Sequence, residues 1–140
     1  MARSTTKAYT AVAALALVPL GLVGCGTPRG SVSGTVKYQG KPVIFGTVMF
    51  VGTDNIPVVA MIQPDGSYRA TGVLAGNNQV AINSPHPDPP ERVSKSGKRE
   101  PPPVDPDTWF MIPGKYGDAR TSGLTFAVEK GSNSFPIELE

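Results

Sequence analysis

The chain has 140 residues, with 13 Lys and Arg against 11 Asp and Glu, one His, one Cys, 16 Gly and 15 Pro. One cysteine excludes an intrachain disulfide, and one histidine is too few for a zinc hydrolase site or a second acid–base group. The small basic excess sits in Arg3 and Lys7, so from residue 25 onward the charges balance. The excess is thus a targeting feature and no evidence for nucleic-acid binding, which would show clustered Lys and Arg.

Residues 1–24 have the three parts of a secretory signal: Arg3 and Lys7, an apolar run from Ala11 to Val23, and small residues before Cys25. The run is interrupted by Pro19 and Gly21 and falls short of the roughly 20 apolar residues that a spanning helix needs. Leu22-Val23-Gly24-Cys25 resembles the bacterial lipoprotein signal at all four positions. The resemblance implies a diacylglycerol thioether on Cys25, cleavage before it, and acylation of the freed amine. It implies a membrane-anchored, exported envelope protein. Gly26 is not the Asp that retains some lipoproteins at the inner membrane, so the outer membrane is favoured over the inner.

Residues 25–30 read as a short polar tether, and residues 31–140 as a single domain. Ser31 to Tyr38 alternates strictly, with Val32, Val36 and Tyr38 on one face, which is the period of a half-buried strand. Gln39-Gly40-Lys41-Pro42 reads as a turn. Val43 to Val51 is apolar on both faces and predicts a central strand covered on both sides, with Gly46 marking a bulge or a close backbone approach. Val58 to Gln63 predicts a third strand, and Pro64-Asp65-Gly66-Ser67 a hairpin turn in which Asp-Gly supplies the unusual φ values. Tyr68 and Ala70 alternate with Arg69 and Thr71 in a fourth strand. Ala75 to Asn78 reads as a turn, and Gln79 to Asn83 as a fifth strand facing inward through Val80 and Ile82.

Residues 85–107 form a proline-rich loop, with eight prolines between Pro85 and Pro106. Trp109 to Pro113 restores apolar order. Leu124 to Glu129 alternates with Leu124, Phe126 and Val128 inward, Lys130 to Asn133 reads as a turn, and Phe135, Ile137 and Leu139 alternate in a last strand. Pro136 demotes that strand to an edge. About seven short strands with turn signals at regular spacing predict an all-β, Ig-like, seven-stranded antiparallel sandwich.

Four segments resemble the signature of the carboxypeptidase regulatory-like domain: Val32-Ser33-Gly34-Thr35-Val36, Gly40-Lys41-Pro42-Val43, Gly46-Thr47-Val48-Met49-Phe50 and Asp65-Gly66-Ser67-Tyr68. Ile112-Pro113-Gly114-Lys115-Tyr116 and Thr121 to Thr125 are similar to the closing half of small lipoproteins that carry it. The resemblance implies a transthyretin-like (prealbumin-type) sandwich and no peptidase activity, because it is to the accessory domain of those enzymes. Ala75-Gly76-Asn77-Asn78 departs from the family, which has Pro-Gly and an aromatic there.

Chemistry-bearing residues are sparse. His86 lies among prolines with Asp88 and Glu91, no Gly-x-Ser-x-Gly elbow surrounds any serine, and no phosphate loop is present. A non-enzymatic module without cofactor or metal is therefore expected, with an envelope protein or polysaccharide as partner. Trp109, Phe110 and His86 are the candidate binding residues, with Asp105 and Asp107 beside the aromatics. A carbohydrate-binding accessory domain is the alternative, a histidine-based hydrolase the third reading. The competing role for Trp109 and Phe110 is closure of the core's open end, since burying such rings is worth about 1.5–3 kcal/mol.

Overall fold

The computed structural model describes residues 26–88, 95–98 and 101–140. The signal segment, Cys25 and Glu91 lie outside the described residues. Among those described there are nine strands and two short 3-10 turns. The strands are β1 (Arg29–Tyr38), β2 (Lys41–Pro42), β3 (Gly46–Val51), β4 (Pro57–Ile62), β5 (Ser67–Leu74), β6 (Gly76–Asn83), β7 (Leu124–Val128), β8 (Gly131–Ser134) and β9 (Ile137–Leu139). No described helix is long and apolar enough to cross a membrane.

The sheet runs β2-β1-β5-β4-β3-β6-β7, with β8 and β9 on the other side of β1. It folds over where β4 meets β5, because those strands pair only at Ile62 and Tyr68. One half is thus β5-β1 with β8 and β9, and the other is β4-β3-β6-β7. With β8 and β9 counted as one broken strand and the two-residue β2 set aside, this is the expected seven-stranded sandwich.

The core lies between the halves. Val32, Val36, Ala70 and Val73 face Val48, Phe50, Ile62, Val80 and Ile82, all buried. The rings of Phe50 and Tyr68 meet across the two halves at 6.1 Å. β1 and β7 show the predicted alternation, with Val32 and Val36 buried at spacing four and Val128 buried at the end of β7. The β1–β2 hairpin turns on Gln39 (φ 49°) and Gly40 (φ 80°), the pair of positive values that a two-residue type I′ turn requires.

Gly34 is where the halves depend on an absent side chain. A Cβ there would run into the carbonyl of Phe135. That carbonyl accepts a 2.6 Å hydrogen bond from the Tyr68 hydroxyl, so the chain break at Phe135-Pro136 is latched over β1. Gly46 shows the close backbone approach that its position predicts, against Asn83.

Several expectations are corrected. The apolar run Val43 to Val51 is not covered on both sides. Only Gly46–Val51 is strand, and Thr47, Met49 and Val51 stay half-buried on the outer face, because a two-layer fold supplies cover on one side only. The turn at Ala75 to Asn78 shrinks to Ala75. The buried Asn78 amide donates to the Leu74 and Gly76 carbonyls at 2.8 and 2.9 Å, closing the link with a side chain instead of extra residues. Lys130 to Asn133 is not a turn throughout, since Gly131–Ser134 is a strand beside β1. Asn133 makes that possible by bonding both the N–H and the carbonyl of Glu129, which tightens the link to two residues.

At Pro64-Asp65-Gly66-Ser67 only Gly66 has positive φ (83°). Proline at the first turn position holds φ negative, so the Asp65 carboxylate instead accepts from the Ser67 N–H and hydroxyl. Finally, β8 and β9 run parallel to β1, so the sandwich is not wholly antiparallel. The predicted last strand is shortened to Ile137–Leu139 after Pro136, and it lies at an edge beside β1, as the proline rule requires.

Candidate functional site

β1 gives the domain two poles. At its start, Arg29 pairs with Leu74 and Gly30 with Gly131, so the β5–β6 and β7–β8 links lie there. The β3–β4 loop joins them: the Arg29 guanidinium donates to the Asp54 carboxylate at 3.3 Å and to the Gly72 carbonyl at 2.8 Å. At its end, Tyr38 pairs with Lys41 and Leu139, and the ring of Phe110 stacks on Tyr38 at 6.0 Å. The two poles are separated by the length of β1, about 30 Å at the usual rise per residue.

The three residues singled out from the sequence sit at the second pole, but not as one cluster. Trp109 follows the 3-10 turn Pro106–Thr108 and donates its indole N–H to the buried Ser84 hydroxyl at 3.0 Å. The His86 ring stands edge-on to it, with centroids 4.9 Å apart and planes at 72°. His86 Nδ1 accepts from the Asp88 N–H at 3.2 Å. Phe110 packs instead on Tyr38 and the core. Asp105 caps the 3-10 turn by accepting from the Asp107 N–H at 3.0 Å, so it serves the loop's own backbone.

The same pole holds the chain's C-terminal end. Tyr116, buried on the second 3-10 turn (Gly114–Gly117), donates its hydroxyl to the Glu140 carbonyl at 3.0 Å. Lys115 lies over the Tyr116 ring, 4.8 Å from its centre.

A second feature was missed in the sequence. On the outer face of β3 and β6 a groove of about 380 Å³ has Met49 and Val51 as its floor. Asn55, Gln79 and Gly117 to Arg120 complete its lining. It continues along the face over Thr47, Val59, Ala81 and Asn83. Arg120 bonds Asp118 through its backbone N–H and guanidinium, which holds the Asp118 carboxyl below the usual range. Met49 and Val51 were the available signal, but an apolar outer face and a doubly covered strand have the same one-dimensional pattern.

Among the described residues no group of three or more His, Cys, Asp or Glu side chains converges in a way that could hold a metal. No family model matches the sequence, and no curated protein matches it. Among solved structures, a DUF3823 family protein from Parabacteroides merdae is similar, with a TM-score of 0.43 and 13% identity over 81% of this chain and 46% of that one. The chain spans less than half the length of that protein.

Proposed function

We propose that the protein is a lipid-anchored, non-enzymatic module of the bacterial envelope, moored through Cys25 and presenting the proline-rich pole to an envelope protein or polysaccharide. The observation that carries this reading is the placement of the two ends. Residues 26–28 lead into the start of β1, and the Trp109–His86 pair, held to Ser84 after β6, lies toward the end of that strand, the far side of the fold. β1 is hydrogen-bonded to β2, β5, β8 and β9, so a pull on the lipid would be shared across one whole half of the sandwich.

The carboxypeptidase regulatory-like resemblance is supported by where its motifs fall. They occupy β1, the β1–β2 hairpin, β3 and the β4–β5 turn, and Gly34 in the first motif makes the room described above. The non-enzymatic part of the reading is supported by His86, whose ring is engaged by Trp109 and whose Nδ1 accepts from backbone. Cell fractionation of Cys25→Ser tests the mooring: the variant is expected unprocessed or in the soluble fraction. Retention on membranes at the wild-type level would defeat the reading.

A carbohydrate-binding role is the second reading, favoured by one observation: Trp109 keeps part of its ring exposed beside His86 at the far pole. Glycan-array binding that is lost in Trp109→Ala with the melting temperature unchanged would support it over the packing role.

A further inference from the structure

We propose that the pole at the start of β1 is itself a lipid-contact surface, with the β3–β4 loop and the exposed Ile56 resting on the headgroups. This rests on the lipid-anchor reading above and deepens it.

The reach of the chain before β1 is short. The Pro28 carbonyl accepts a 2.9 Å hydrogen bond from the Ala75 N–H, so the chain is already fastened to the fold at residue 28. From there back to Cys25 is three residues, which span about 10 Å at full extension. The headgroup zone is about 6 Å deep on each side of a bilayer. A cysteine held by its acyl chains at the base of that zone leaves at most about 4 Å for the domain to stand off.

The loops that then meet the surface are those tied to Arg29. Asp54 accepts from the Arg29 guanidinium through one oxygen and from the Ile56 N–H through the other, at 3.3 and 3.1 Å. One carboxylate therefore fixes the residue that ends the tether to the loop that carries Ile56. Ile56 is 57% exposed, although it is apolar and followed by Pro57. Charged groups at this pole cancel: Arg29 and Lys130 against Asp54 and Glu129. Contact is thus set by the tether and Ile56, not by attraction to anionic lipid.

The test uses the full-length lipidated protein in vesicles of phosphatidylethanolamine and phosphatidylglycerol. A thioether at Cys25 leaves no free thiol, so Ile56→Cys, Thr53→Cys and Lys41→Cys each take one environment-sensitive fluorophore. Thr53 shares the β3–β4 loop, and Lys41 lies at the far pole. A headgroup-borne quencher is expected to quench the probes at 56 and 53 and to spare the probe at 41. Equal quenching at all three positions, or none at any of them in protein that floats with the vesicles, overturns the proposal. Protein that fails to float overturns the anchoring reading on which it rests, so the two failures are distinct.

Discussion

The two poles of this sandwich are built by opposite means. At the start of β1 the links are minimal: Ala75 alone joins β5 to β6, and Glu129-Lys130 joins β7 to β8. Each is closed by an asparagine side chain, Asn78 or Asn133, that bonds neighbouring backbone. At the end of β1 the proline-rich segment leaves β6, and its described ends are held by the His86–Trp109 ring contact, the indole hydrogen bond to Ser84 and the stacking of Phe110 on Tyr38. The difference teaches where rigidity is invested. Short, side-chain-closed links fix geometry at the end where the chain enters β1. A long segment between β6 and Trp109 adds little entropic cost for its length.

The comparison can be broken first at the strand shared by both poles. Gly34→Val would push the Phe135 carbonyl off β1 and strand the Tyr68 hydroxyl, at a cost of about 3 kcal/mol by overpacking. Chemical denaturation checks this, and an unchanged midpoint would show that the latch is slack. The next effect is at the pole where β1 begins. Asn78→Ala removes both bonds that close the β5–β6 link in a buried setting, a loss of about 2 kcal/mol in the same assay.

Tyr68 sharpens the picture through pH. Burial raises its pKa above the ordinary value of 10.0, so the folded state keeps the hydroxyl neutral after the unfolded state has ionised. Its contribution is complete below pH 10 and is lost as pH rises further, with a slope of about 1.4 kcal/mol per pH unit until the folded-state pKa is reached. Stability measured between neutral and alkaline pH is expected to show this slope in the wild type and to lose it in Tyr68→Phe. The smallest effect belongs to the far pole. Trp109→Phe keeps a ring but removes the donor to Ser84, a loss of about 1 kcal/mol. A larger loss there than in Asn78→Ala would reverse the ranking of the poles.

Much of the fold was legible because half-buried strands write their burial as alternation. Val32, Val36 and Tyr38 in β1, and Leu124, Phe126 and Val128 in β7, point where the period places them. β8 was not legible. Gly131-Ser132-Asn133-Ser134 has turn composition and no apolar face, and becomes a strand only because β1 offers it a partner about a hundred residues away. The parallel direction of that pairing is equally a property of the assembled sheet. The outer groove escaped because Met49 and Val51 read as doubly buried. The aromatic pole was legible in its residues and not in its arrangement: Trp109 meets His86, while the adjacent Phe110 turns to Tyr38.

The central claim is that this sandwich is moored at the start of β1 by a lipid on Cys25. Mass spectrometry of the mature N-terminal peptide from membrane-extracted native protein tests it most directly. The account predicts a chain that begins at Cys25 and carries a diacylglycerol thioether with an acylated amine. A free sulfhydryl at Cys25, or a mature chain that still carries residues 1–24, would contradict it.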